Sequence, residues 1–192
     1  LYSGPGGLGY GASRASIKVK DKKIGFSHAW ASDYDLDSCK SFSLNVLKDK
    51  EEKVYDNEDL FNNIPFGSVI CADVADLQKH FKNLPKIDGF MYGFPCNDFS
   101  IVGESKGLDG DYGPLYTYGI EYLKAHQPMW FVAENVSGLS SSNSGEAFKL
   151  ILDTMKKVGY QITPHLYKFE QYSVPQSRHR ILIVGIRKDL KV

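Results

Sequence analysis

Gly93-Phe94-Pro95-Cys96-Asn97-Asp98-Phe99-Ser100 follows directly on the apolar run Ile87 to Tyr92. A short apolar run bounded by turn residues reads as a buried strand. The proline stiffens the chain after it, and the next residue is a cysteine. A thiol on a stiff loop at the C-terminal end of a strand is where open α/β sheets keep their chemistry. Three other segments fit the same kind of site: Tyr2-Ser3-Gly4-Pro5-Gly6-Gly7, Glu134-Asn135-Val136 and Gln176-Ser177-Arg178-His179-Arg180.

Working outward, strands alternate with helices. Leu1-Tyr2 reads as the stub of a first strand, and Gly4 to Gly7 as a loop opening a helix over Leu8 to Ser16. Lys18 to Lys23 is a charged, solvated insertion. Ser27 to Ser32 reads as a strand, Leu36 to Leu47 as a helix, and Lys48 to Asn63 as polar and ambiguous. Ser68 to Ala72 is a short buried strand, Val74 to Phe81 a helix, and Asp88 to Tyr92 the strand before the cysteine. Asn97 to Asp111 is a Gly/Asp/Ser-rich loop. Leu115 to His126 reads as a helix stopped ahead of Pro128. Met129 to Ala133 is an apolar strand, Glu146 to Val158 an amphipathic helix ending at Gly159. Gln161 to Phe169 and Arg180 to Ile186 are the last strands. The alternation predicts an α/β fold with a doubly wound, mostly parallel, Rossmann-like sheet.

The bulk numbers narrow the function. The chain has 192 residues, enough for one α/β domain with a core. It carries 23 Lys and Arg against 23 Asp and Glu, a formal charge of zero. A self-sufficient nucleic-acid binder shows a basic excess. Three widely spaced cysteines, Cys39, Cys71 and Cys96, argue against a disulfide framework, and no Cys/His cluster suggests a metal. No apolar run approaches the ~18 residues of a membrane span, and no signal-peptide pattern is present. A cytoplasmic protein that binds neither membrane nor metal is the expectation.

The candidate residues each carry two readings. Gly4-Pro5-Gly6-Gly7 is either a plain tight turn or a loop whose backbone approaches a ligand at a helix N-terminus. Asp33 ends the second strand, where an acid meets a ribose diol in dinucleotide-type folds; Tyr34 beside it could stack on an adenine. Asp73 ends the third strand and could accept from an adenine amino group. Both aspartates could equally be helix N-caps. Cys96 is either a small buried hydrophobe or a nucleophile whose thiolate is favoured by nearby arginines. Glu134 is either a capping acid or a proton-handling carboxyl on the same rim as Cys96. Alternation puts Arg178 and Arg180 on one face, where guanidinium forks suit a base carbonyl, a phosphate or a thiolate.

In this order the four segments resemble the signature blocks of the DNA (cytosine-5)-methyltransferase family, from the first residue to about Arg187. The resemblance implies an S-adenosylmethionine pocket lined by Tyr2, Gly4, Pro5, Gly6, Gly7, Asp33, Tyr34, Asp73, Val74, Pro95 and Leu115, with S-adenosylhomocysteine as product. It implies Cys96 as nucleophile at cytosine C6, Glu134 at N3 and the amino group, Arg180 at the base O2, and Arg178 at phosphate and in organising the site. Phe94, Asn97, Ser100, Asn135 and Gln176 would meet the substrate, with Asn135 shaping the loop. The implied substrate is double-stranded DNA with the cytosine flipped out, in a bacterial restriction–modification or orphan enzyme.

Two departures stand out: Asn97 replaces the usual Gln, and Tyr112 the usual Arg before Gly113. The strand before Gly4 is expected to begin upstream of Leu1. The family's target-recognition region and final block have no counterpart after Arg187. The chain therefore reads as an incomplete catalytic domain, a fragment or a split subunit. A second polypeptide would then supply recognition, and the chain alone would bind DNA weakly. A tRNA cytosine-5 methyltransferase of the same family and a non-catalytic relative are the alternatives. Loss of Cys96 or Glu134 would mark the second, and both are present.

Overall fold

The computed structural model describes residues 1–49, 53–95, 115–140 and 145–190. Cys96, Asn97, Ser100 and Tyr112 lie outside the described residues. The chain divides into two compact units, Leu1–Ile87 and Asp88–Val192.

In the first unit, α1 (Gly7–Arg14) leads into an antiparallel hairpin of β1 (Ser16–Val19) and β2 (Lys22–Gly25). Every residue of both hairpin strands is exposed. The stretch expected to be a solvated insertion is therefore solvated but ordered as strands. Next come β3 (Trp30–Asp33), α2 (Leu36–Phe42), β4 (Val54–Tyr55), β5 (Ser68–Cys71) and α3 (Val74–Gln78). The parallel sheet runs in the order β3-β5-β4. β3 and β5 are buried over three consecutive residues each, as strands covered on both faces must be. Asp35 caps α2 by accepting from the Ser38 N–H at 2.8 Å. The helix runs on as a π-helical turn, Ser43–Leu47, so the expected span of 36–47 is helical throughout. Ala31, Cys39, Phe42, Val46 and Val69 form the core beneath the sheet. Leu1 and Tyr2 form no strand; the segment is tied to β3 by the Ser3 N–H donating to the Ser32 carbonyl at 2.9 Å.

The second unit contains β6 (Gly89–Gly93), α4 (Leu115–His126), β7 (Trp130–Val136), α5 (Glu146–Lys157), β8 (Tyr160–Lys168) and β9 (His179–Arg187). The order is β6-β7-β9-β8. β6 and β7 are parallel, whereas β9 is antiparallel to both its neighbours. The departure from an all-parallel sheet is thus confined to β8 and β9, which are joined directly by residues 169–178 rather than through a crossover helix. Aromatic rings fill the core. Phe90 stacks on Tyr122 with centroids 4.4 Å apart, and Phe131 meets Tyr160 edge-on at 5.1 Å. Each large apolar side chain fully buried contributes about 1.5–3 kcal/mol. α4 approaches β6 closely because Gly119 has no side chain: a Cβ there would stand 2.3 Å from the Tyr92 ring.

Candidate functional site

In the first unit the glycine loop and the ends of β3 and β5 come together. Asp33 is the last residue of β3 and stands opposite Cys71 of β5. Its Oδ2 accepts from the Gly4 N–H at 2.7 Å, and its Oδ1 from the Asp35 N–H at 3.2 Å. Asp33 is therefore not the cap of α2, a role taken by Asp35; it fastens the glycine loop to the strand end. Gly6 has φ 107°, and a Cβ there would come within 2.4 Å of Val46. Only glycine fits that position. Gly4 has φ 52° with open space around it, and Gly7 opens α1. Ser3 Oγ is buried and has no hydrogen-bond partner among the described residues. Tyr34 is 80% exposed. Asp73 does cap a helix: its Oδ1 accepts from the Ala75 N–H at 2.8 Å at the start of α3, just before Val74. Tyr2 and Pro5 flank Ser3 and Gly4 in the loop.

In the second unit the candidate residues lie on β6, β7 and β9 and in the connection before β9. β7 runs on past Ala133, so Glu134, Asn135 and Val136 belong to the strand rather than following it. Odd-numbered Phe131, Ala133 and Asn135 are buried, and Glu134 lies on the other face. Leu182 of β9 stands opposite Glu134, and Arg180 opposite Val136. That diagonal is within reach of long side chains, and the Arg180 Nε donates to the Glu134 Oε1 at 2.7 Å. Both side chains are mostly sheltered. The Arg180 guanidinium also donates to the His179 carbonyl at 2.8 Å, which fixes its fork.

Asn135 faces the core. Its Nδ2 donates to the Phe94 carbonyl at 2.9 Å, and its Oδ1 accepts from the Val136 N–H at 2.7 Å. The first bond holds the chain two residues before Cys96. Phe94 is itself buried, while Pro95 is exposed. Leu115 begins α4.

Arg178 does not share a strand face with Arg180, because β9 begins at His179. It sits in the β8–β9 connection, exposed, its carbonyl accepting from the Phe169 N–H at 3.0 Å. Gln176 is exposed in the same connection. His179, which sequence reasoning passed over, pairs with Glu170 through Nε2 at 2.7 Å. The Glu134–Arg180 pair was also not foreseen as a pair; its signal lies in the β7–β9 register, which one sequence does not reveal.

The other two cysteines are poor nucleophiles. Burial pushes the Cys39 thiol up to about 12, and burial likewise raises Cys71. A thiol held protonated does not attack. Among the described residues no group of three or more His, Cys, Asp or Glu side chains could hold a metal ion. No helix among them is long and apolar enough to cross a membrane.

Comparison with known proteins identifies the family. The chain is 46% identical over 199 aligned residues to the type II methyltransferase M.BbvI of Brevibacillus brevis, covering 100% of this chain and 49% of that protein. It is 33% identical over 190 residues to the type II methyltransferase M.NgoFVII of Neisseria gonorrhoeae, covering 98% of this chain and 43% of the relative. It thus spans about half the length of the curated relatives it matches. Among solved structures it superposes on one from an E. coli prophage, described as a DNA modification methyltransferase, with TM-score 0.64 and 25% identity, over 100% of this chain and 47% of the other. The Entamoeba histolytica methyltransferase EhMeth shares the fold at TM-score 0.58 and 19% identity, over 97% of this chain and 51% of its own. The model of the C-5 cytosine-specific DNA methylase family matches residues 1–192. The chain belongs to that family.

Proposed function

We propose that this chain is the catalytic part of a DNA cytosine-5 methyltransferase of a bacterial restriction–modification or orphan system, acting on cytoplasmic double-stranded DNA. The observation that carries the reading is the Glu134–Arg180 pair, held at 2.7 Å on one face at the ends of β7 and β9. Cytosine presents its amino group, N3 and O2 side by side. A carboxyl and a guanidinium one hydrogen bond apart match that edge: Glu134 to the amino group and N3, Arg180 to O2. When the base enters, the bond between the two side chains gives way to bonds to the ring. Arg178, exposed in the β8–β9 connection, is free to take a phosphate.

Cys96 is the nucleophile. Its thiolate adds to C6, and Glu134, which takes up a proton from water once Arg180 has turned to O2, passes it to N3, which makes C5 a carbon nucleophile. After C5 is methylated, loss of its proton and expulsion of the thiolate restore the aromatic ring. The strand that carries Glu134 also holds, through Asn135, the Phe94 carbonyl two residues before Cys96. The target must leave the helix, since no side chain reaches C6 within a stack.

S-adenosylmethionine supplies an electrophilic methyl group. The residues of the first unit fit it. Each Asp33 oxygen holds one backbone N–H and has room for a ribose hydroxyl. The Ser3 hydroxyl is buried without a partner among the described residues, Tyr34 offers an open ring, and Asp73 caps α3 with one oxygen only. Val74, which follows Asp73 at the start of α3, would add to the lining. A region reading the target sequence, on the same polypeptide or a second one, would complete the enzyme.

The test uses the form of the protein that methylates DNA, alone or supplied with a downstream region from a relative. Cys96→Ser abolishes methyl transfer and covalent trapping on DNA carrying 5-fluorocytosine, while Cys39→Ser and Cys71→Ser keep trapping. Trapping that survives Cys96→Ser overturns the mechanism.

A further inference from the structure

The sheet face that carries Glu134 and Arg180 continues across β9 onto the edge strand β8, where it bears a row of rings. The register fixes this. Arg180 stands opposite Val136 on one side and Tyr167 on the other; Leu182 stands opposite Glu134 and His165. Directly opposed residues share a face, so Glu134, Arg180, His165 and Tyr167 do. His165 meets Tyr167 edge-on with centroids 4.7 Å apart, and Tyr167 meets Tyr172 at 5.7 Å and 46°. The row therefore begins one strand spacing, ~4.8 Å, from the Arg180 backbone.

These rings are not core. His165 is exposed, Tyr167 half-buried, and Tyr172 is 56% exposed. Tyr172 is not carried on a slack loop either. It ends a 3₁₀ turn, Phe169–Tyr172, whose base is closed by the Phe169 N–H bond to Arg178 and by the His179–Glu170 pair. An exposed cation sits at the same end of the ribbon. Arg178 lies across from Phe169 and has no ion-pair partner among the described residues. An exposed aromatic row with an unpaired cation beside it complements a ligand that is flat, apolar in its faces and anionic at its edge.

We propose that His165, Tyr167 and Tyr172 form a stacking platform for an unstacked nucleobase, with Arg178 holding the adjoining phosphate. Every base offers a π-face, so such a platform is tolerant of sequence and its base-dependent part is insensitive to salt. Its place beside Arg180 suits a nucleotide next to the one held by Glu134 and Arg180. It rests on the proposed reaction only for the choice of nucleic acid as ligand.

The probe is a single-stranded deoxyoligonucleotide containing 2-aminopurine, compared with an abasic strand of the same length. The chain quenches the 2-aminopurine on binding, and binds it more tightly than the abasic strand. Tyr172→Ala removes the quenching at saturation and lowers affinity roughly 5- to 150-fold for each stacked base lost. Tyr172→Phe, which keeps the ring, behaves as the parent. Arg178→Gln weakens binding and flattens its salt dependence but leaves the quenching at saturation intact. Abasic and base-containing strands bound alike, quenching that survives Tyr172→Ala, or no binding at all each overturn the platform. Tyr172 is exposed, so a folding defect is not expected, and a thermal melt verifies this. No methyl donor or transfer is needed. Failure here with Cys96-dependent trapping intact counts against the platform alone, and the converse against the reaction.

Discussion

Asp33 and Glu134 are both carboxylates at the end of a buried strand, and they are held in opposite ways. Asp33 is gripped by two backbone N–H groups, from Gly4 and Asp35. Those donors are part of the chain and cannot swing away. Glu134 is gripped by a side chain, Arg180, which can. The first arrangement suits a group that must stay where it is while something binds to it. The second suits a group that must change partners during a reaction. The same functional group is thus fixed by the backbone in one unit and held by a movable side chain in the other, and the difference lies entirely in what donates to it.

The largest effect is expected where the partner is exchangeable. Glu134→Gln keeps the shape and still accepts from Arg180 but has no proton to deliver. Methyl transfer should fall by about 10²- to 10⁴-fold in a radiolabel assay, with the melting temperature little changed. A rate within tenfold of the parent would break the distinction. Asp33→Ala should do the reverse. Loss of a charge-assisted hydrogen bond of about 1.5–3 kcal/mol lowers S-adenosylmethionine affinity roughly 10- to 150-fold by calorimetry. It also frees the Gly4 N–H, so the melting temperature drops with it. Unchanged affinity would leave Asp33 a loop fastener and nothing more.

The smallest effect sharpens the scaffold side. The Cys39 thiol lies behind Asp33 and donates to its carbonyl at 3.5 Å. Burial raises it from an ordinary 9.0 to about 12. The unfolded thiol ionises near the lower value and the folded one near the higher. Between them the unfolded state binds fewer protons, so stability falls as pH rises through this window. Cys39→Ala should lose that component and show a shallower decline in denaturant titrations over the same range. Parallel declines would mean that the thiol titrates alike in both states.

The fold was legible where a strong local signal stood alone. Leu115–His126 was bounded by Pro128 and by its own periodicity, and its limits agree with the structure. The hairpin at 16–25 was missed because its lysines hide the alternation of Ile17, Val19 and Ile24, and no core contact enforces a pattern. Polar Glu134 and Asn135 look like a strand's end, yet β7 runs on through them to Val136. The separate residues of the site could be read from the chain. Their pairing could not, because Glu134 meets Arg180 through a register set by packing 46 positions apart in sequence. Two-residue spacing puts Arg178 and Arg180 on one face only within a strand, and β9 begins at His179, one residue too late.

The sequence contains two tryptophans. Trp30 opens β3 in the first unit, and Trp130 opens β7 in the second, where it covers Gly89 so closely that a Cβ would stand 2.0 Å from the indole. Each half of the chain therefore carries its own intrinsic fluorophore. With either indole exchanged for phenylalanine, the remaining emission follows one half alone. Whether the two halves melt together or in succession then becomes readable from a single pair of denaturation curves.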